Sequence, residues 1–248
     1  MTAAARAAET APLLRSAARS HPGLRRALNE DRVVDSPADG FWAVADGMGG
    51  HAGGEQAAER LRAALVAVGH DGLGYARLGR VTREVERVNG ELWAAGGAQP
   101  GGAGGATVVA LLVHEGHYAC VWAGDSRAYL LRGGRLKRLT RDHTVVQDLV
   151  DAGALHPSGV RDHPLGHVVT RAVGAAPELE LERRFAPVRP GDRFLLCSDG
   201  LTACLEDAEI AARLAEGEPE DTVGAMLADA LARGAPDNVS VVVAAVRD

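Results

Sequence analysis

Lysine is almost missing from this chain of 248 residues: of its 27 basic residues, Lys137 is the only one. A Walker phosphate loop needs a Gly-Lys pair, and Lys137 follows Leu136, so that motif is excluded. No stretch satisfies GxGxxG, since the last glycine is missing in both 47–52 and 102–107, and there is no GxSxG elbow or HExxH helix. Aromatics make up only 4%, so a core has to be built mainly from Ala, Val and Leu. The apolar runs stop far short of the roughly 20 residues that span a bilayer. The start, "MTAAARAAETAPLLRSAARS", lacks a long hydrophobic segment and is interrupted by Glu9, so it is not read as a signal peptide. The three cysteines, Cys120, Cys197 and Cys204, form no CxxC pair. Cys120 and Cys197 lie in strand-like runs, which predicts inert thiols in a reducing compartment. The formal charge of −6, without a basic stripe, argues against nucleic acid as the main partner. What remains is a soluble, cytoplasmic protein, monomeric and without a membrane partner. The arginine bias suggests a GC-rich bacterial genome.

At 46% apolar, the chain can bury a sizeable core in one large domain or two small ones. Strands are predicted at 41–45, 106–113, 117–123, 126–131, 193–197 and 239–246, each bounded by Gly, Asp or Pro. The second and third are joined by "HEG", which predicts a hairpin and an antiparallel sheet. His114 and His117 flank that turn and are read as solvated, not as a metal pair. Helical periodicity marks 54–69, 76–95, 144–152, 207–215 and 220–233. Strands in groups and helices in separate blocks predict α+β, not alternating βαβ. "GGAQPGGAGG" at 96–105 reads as a loop, because the sheet signal resumes at once.

Acids recur at the ends of the apolar runs. Asp46 closes "FWAVAD", Asp125 closes "YACVWAGD", Asp199 closes "RFLLCSD", and Asp237 opens onto "NVSVVVAAV". Strand ends can bring distant side chains to one rim of a sheet. The plainer explanation is that Asp-Gly makes turns, and at Asp39-Gly40 and Asp71-Gly72 a turn or loop is the better reading. Asp46-Gly47 and Asp199-Gly200 are followed by helix-like sequence, so a two-residue hairpin does not explain them. Five of the ten residues in "DGMGGHAGGE" (46–55) are glycine, which suggests a close backbone approach. Clustered carboxylates need a cation to stay ionised together, and an all-oxygen set suits Mg²⁺ or Mn²⁺. The pattern alone leaves the metal reading and the turn reading both open.

Eight blocks in order carry a resemblance: "GLRRALNED" (23–31), "DGMGGHAGGE" (46–55), "GGATVV" (104–109), "AGDSRAYLL" (123–131), "LTRDHTVVQDLVDAGAL" (139–155), "HPLGHVVTRAVG" (163–174), "GDRFLLCSDGL" (191–201) and "DNVSVVV" (237–243). Together they resemble the metal-dependent protein phosphatase 2C family, in its bacterial Ser/Thr phosphatase branch, from about residue 13 to 247. The resemblance implies a four-layer αββα sandwich: a single catalytic domain over 13–248 after an N-terminal extension, 1–12, with a flap at about 143–170. It implies a binuclear centre for Mn²⁺ or Mg²⁺, in which Asp46 bridges two ions, Asp199 and Asp237 complete the first, and the Gly47 carbonyl binds the second. Asp31, with Glu30 beside it, acts mainly through water, and Asn238 supports Asp237. Arg26 clamps the substrate phosphate, its bidentate fork matching phosphate oxygens. The implied reaction is direct attack on phosphoserine or phosphothreonine by hydroxide bridging the two metals, countering a cognate Ser/Thr kinase.

Two departures from the family pattern matter. Ala203 stands where many members place an acid that, with Asp125, holds a third metal, so that site is expected to be weak unless Asp207 or water substitutes. Met48 replaces the histidine assigned as general acid in eukaryotic members. His51 is then expected to serve the loop, and His143 and His163 are given no chemistry. The alternatives are a phosphatase dedicated to one phosphorylated regulator and a non-catalytic signalling module that keeps the fold. The start "SAARSHPGLRRALNED" also resembles stand-alone phosphatases paired with kinases in bacterial secretion systems.

Overall fold

The computed structural model describes residues 13–49, 53–69, 74–96, 104–161 and 163–247. The 1–12 extension, Asp71-Gly72, His51 and most of the glycine cluster lie outside the described residues. Two antiparallel five-stranded sheets form the centre. The first runs β1 (Leu13–His21), β12 (Val239–Arg247), β11 (Arg193–Cys197), β8 (Arg127–Arg132) and β9 (Arg135–Arg138). The second runs β10 (Glu182–Pro187), β7 (His117–Ala123), β6 (Val108–His114), β3 (Phe41–Ala45) and β2 (Arg32–Ser36). A two-stranded ladder, β4 (Gly47–Met48) with β5 (Gly105–Ala106), continues from the end of β3.

Strand alternation explains the layering. In β6, Val108, Ala110 and Leu112 pack with α1 (Gly53–Ala67) and α2 (Gly74–Ala95). The intervening Val109, Leu111 and Val113 pack against Phe194, Leu196 and Val242 of the other sheet. In β12, Val239, Val241 and Val243 face a third cluster with Leu201, Ile210 and Met226. Those three residues belong to α4 (Asp199–Cys204), α5 (Asp207–Leu214) and α6 (Pro219–Ala232). A strand buried on both faces reads as an unbroken apolar run, which is why β6 and β12 were legible in the sequence. The result is the four-layer αββα sandwich, with one core between the sheets and one under each helical layer.

The β6–β7 hairpin turns on two residues, Glu115 and Gly116, both at positive φ (46° and 72°), as a turn matching strand twist requires. His114 and His117 are therefore the last paired residues of the two strands, both exposed. The predicted turn at Asp39-Gly40 is a 3₁₀ turn, Pro37–Asp39, closed by Gly40 between β2 and β3. Five strands, β1, β2, β4, β9 and β10, were not predicted. The 143–170 segment contains α3 (Val145–Asp151), whose cap Thr144 accepts from the Gln147 amide. It returns to the body where Thr170 N–H donates to His143 C=O at 2.8 Å.

Candidate metal centre

The predicted acids meet at one end of the sandwich because β3 and β7 flank β6 and end on the same side of the second sheet, while in the first sheet β11 ends beside the start of β12. Asp46 leaves the end of β3, Asp125 follows β7, Asp199 follows β11, and Asp237 precedes β12. Two glycines make the close approach possible. A Cβ on Gly47 would lie 2.3 Å from the Gly54 carbonyl oxygen and 2.8 Å from that of Glu30, so β4 passes directly over the start of α1 and the loop before β2. A Cβ on Gly200 would lie 2.0 Å from the Asn238 carbonyl oxygen. Only glycine lets the first turn of α4 press Asp199 against the Asp237-Asn238 segment.

Asn238 organises the loop that holds Arg26 and Asp31. Its Oδ1 accepts from the Glu30 amide at 2.8 Å, and its Nδ2 donates to the carbonyls of Pro22 and Leu28, both at 2.9 Å. Asn238 thus supports the neighbouring loop more than Asp237, whose Oδ1 accepts from the Asn238 amide at 2.8 Å. Arg26 donates to Asp237 Oδ2 at 2.7 Å and remains mostly exposed.

The electrostatics are those of an uncompensated acid cluster. Burial pushes Asp31 up to about 7, and the charges of Asp199 and Asp237 push the same way. Asp46 is raised well above the usual carboxylate range by burial, then by the charges of Asp31, Asp199, Asp125 and Asp237. Asp199 is raised by burial and by the charge of Asp237. Asp125 rises to about 8 from burial and the Asp199 charge. One buried oxygen, Asp31 Oδ1, has no hydrogen-bond partner among the described residues, and neither does Glu30 Oε1.

That donor set fits a hard divalent cation: several carboxylates raised by mutual repulsion, a backbone carbonyl beside them, and an orphaned carboxylate oxygen. Among the described residues, no three His, Cys, Asp or Glu side chains stand in finished ligating geometry. The cluster is an electrostatic neighbourhood, not a preformed shell, and the fit rests on the orphaned oxygen and the unneutralised charge.

Several contributors were missed in the sequence. Ser198 Oγ donates to Asp31 Oδ2 at 2.8 Å and accepts from the Ser240 amide at 2.9 Å, and the Ser240 hydroxyl also lowers the Asp31 pKa. The available signal was a pair of polar residues inside runs otherwise buried on both faces. Arg127 binds Asp142 at 2.7 Å and the Ser126 hydroxyl meets Thr107 Oγ1 at 2.7 Å, fixing the loop of Asp125. His143 is buried and takes part in that support. Its Nδ1 accepts from the Gly124 amide at 3.0 Å, so Nε2 carries the proton toward Glu182 Oε1, also at 3.0 Å. His163 Nδ1 accepts from the Leu165 amide at 3.1 Å.

The sequence model of the family described as protein phosphatase 2C matches residues 25–233. This chain belongs to the protein phosphatase 2C family. The serine/threonine protein phosphatase PstP of Mycobacterium tuberculosis is 40% identical over 237 residues, covering 95% of this chain but 46% of that protein. The chain thus spans about half the length of the curated relative it matches. Among solved structures, PppA of Pseudomonas aeruginosa, described as a key regulatory component of T6SS, superposes with a TM-score of 0.86 at 38% identity, covering 94% of this chain and 97% of that one. The catalytic domain of PstP in complex with two manganese ions gives 0.85 at 39% identity, covering 95% and 99%.

Within this phosphatase 2C fold, the departures noted in the sequence have structural counterparts. Ala203 is exposed near the end of α4, and its carbonyl accepts from Arg161 at 2.9 Å. Arg161 also pairs with Glu206, so the 160s loop is tied across to α4. Asp207 accepts from the Tyr129 hydroxyl at 3.1 Å. Between that loop and α4 lies a cavity of about 380 Å³, lined in part by Asp125, Asp199, His163 and His167. Met48, half-buried, pairs with Gly105 in the small ladder.

Proposed function

We propose that this chain is a metal-dependent protein serine/threonine phosphatase, hydrolysing phosphoserine and phosphothreonine at the acid cluster. The observation that carries it is the convergence of Asp31, Asp46, Asp199 and Asp237 beside the exposed guanidinium of Arg26. Asp46, Asp199 and Asp237, the Gly47 carbonyl and Asp31 would hold two ions of Mn²⁺ or Mg²⁺. When bound, such ions neutralise the carboxylates and supply Lewis acidity toward water and phosphoryl oxygens. Arg26, tethered by Asp237, would present its free donors to the substrate phosphate and fix it for in-line displacement. Ser198 and Ser240 hold Asp31 in place, which leaves Asp31 Oδ1 free to orient water. The PstP complex with two manganese ions supports the count and type of metal.

Asp125 is then a poor third ligand. Ala203 offers no carboxylate, Glu206 is taken by Arg161, and Asp207 is held by Tyr129. The likeness to PppA supports a regulatory role in a secretion-system setting.

The test is hydrolysis of p-nitrophenyl phosphate and a phosphothreonine peptide with Mn²⁺, with Mg²⁺ and with EDTA, wild type against Asp199→Ala. Metal-dependent turnover that vanishes in the variant is expected. Full activity in Asp199→Ala, or none in folded wild type with either metal, overturns the reading.

A further inference from the structure

Six large apolar side chains are strongly exposed among the described residues: Leu24, Leu28, Val66, Tyr75, Leu165 and Phe185. Scattered singly, such residues need no explanation. Three of these are not scattered. Leu24 (62% exposed) and Leu28 (50%) stand two residues either side of Arg26, on the loop that carries it and Asp31. Leu165 (44%) lies between His163 and Gly166, both of which line the cavity shared with Asp125 and Asp199. Two exposed leucines thus flank Arg26 on its own loop, and a third stands on the 160s loop, whose His163 and Gly166 line the cavity beside Asp125 and Asp199.

Fraying does not account for the exposure of the two leucines. The loop is pinned by Asn238 at Pro22, Leu28 and Glu30, and Leu24 N–H donates to the Ala235 carbonyl at 2.9 Å. A backbone held this firmly presents its side chains in fixed positions. Fixed apolar side chains lose little freedom on binding, so they suit recognition.

We infer that Leu24 and Leu28, extended by Leu165 of the 160s loop, form an apolar subsite for the residues flanking the phosphorylated side chain. The preferred substrate is an extended phosphoprotein segment with aliphatic side chains within about four positions of the phosphoserine or phosphothreonine, a reach of about 13 Å. This rests on the proposed phosphatase activity, with the phosphate at Arg26. It adds a rule the catalytic residues do not contain: phosphate position comes from Arg26, and choice of sequence comes from the leucines.

The experiment uses the full chain with Mn²⁺ and two phosphothreonine peptides, identical except that Leu and Val on both sides of the phosphothreonine are replaced by Ser and Asn. Wild type is expected to favour the apolar peptide by about tenfold in kcat/KM, carried by KM. In Leu24→Ser/Leu28→Ser the preference should fall to about twofold or less, and Leu165→Ser should lower it partially. Turnover of p-nitrophenyl phosphate, which has no flanking residues, should stay within about twofold of wild type in all three. Equal use of both peptides by wild type, or a preference that survives in the double variant, overturns the subsite while leaving the phosphatase reading intact. Wild type that turns over neither peptide nor p-nitrophenyl phosphate overturns both together.

Discussion

Two buried carboxylates, one just before β11 of the first sheet and one just before β2 of the second, show how the fold uses acids. Asp192 is fully buried before β11 and is completed by protein: Arg132 grips it with two donors at 2.6 and 2.5 Å, and the Arg189 amide donates at 2.8 Å. Asp31 is just as buried, accepts from the Ser198 hydroxyl, and keeps one oxygen without a partner among four other acids. The first arrangement is a closed ion pair whose desolvation is offset by a bidentate guanidinium. The second is open and still needs a positive charge. Burial of an acid is therefore not a functional signal; what distinguishes the site is whether the protein itself supplies the counter-charge.

The strongest way to break that contrast is to remove one acid from each place. Asp46→Asn should cost at least about 10³-fold in metal-dependent kcat, because an amide neither bridges cations nor carries charge. In EDTA the same variant should melt higher than wild type, by about 2–4 °C for each kcal/mol of repulsion relieved. Asp192→Ala should do the reverse. It strands Arg132, costs about 3 kcal/mol of stability, and leaves kcat of the folded fraction near wild type. Calorimetry with and without Mn²⁺, beside initial rates, reads all four quantities. A metal-free Asp46→Asn that melts lower than wild type would mean the cluster is not under electrostatic strain.

The same contrast explains what could be read in advance. The apolar strands and the acids at their ends were legible because two-sided burial writes long runs of Val, Leu and Ala, and because a carboxylate at a strand end has few other reasons to be there. Five strands were not legible, among them the edge strands β1, β9 and β10. β1, "LLRSAARSH", is an edge strand rich in Ala and Arg that gains its β structure from nine residues of pairing with β12, a tertiary effect overriding weak propensity. β10, "ERRFAP", and β9, "RLKR", are likewise edge strands whose charged residues give no apolar period. The helix α4 is only six residues long, too brief for periodicity. The acids of the site were legible, but not their supports: Ser198, Ser240 and the His143–Gly124 contact depend on partners 19 to 167 residues away.

Acidity sharpens the comparison further. In the metal-free fold burial and neighbouring charges push Asp31 up to about 7 and Asp125 up to about 8, both above the ordinary carboxylate value near 4. With folded values raised, the folded state holds more protons than the unfolded chain between about pH 4 and 8, so stability is highest below that window and falls as pH rises through it. The melting temperature in EDTA should therefore decline from pH 5 to 8.5. With Mn²⁺ the carboxylates are held ionised, and the decline should flatten or reverse as protons stop competing with the cation. A metal-free melting temperature that rises across this range would contradict the raised carboxylates.

The smallest effect expected is at the tie between the 160s loop and α4. Arg161 spans from that loop to the Ala203 carbonyl at 2.9 Å and to Glu206, and both side chains are substantially exposed. Exposed pairs contribute roughly 0–1 kcal/mol, so Arg161→Ala should leave global stability within about 1 kcal/mol. Locally the change should be visible, because the carbonyl bond and the ion pair both leave with one side chain. Hydrogen exchange in the 156–168 stretch should quicken severalfold while the β6 and β12 amides stay protected. Glu206→Gln, which removes only the ion pair, should give the weaker of the two responses. If exchange in that stretch is unchanged in both variants, the loop is held by its own turns, Leu165 to Val168 and His163 to Gly166, and not by the contact with α4.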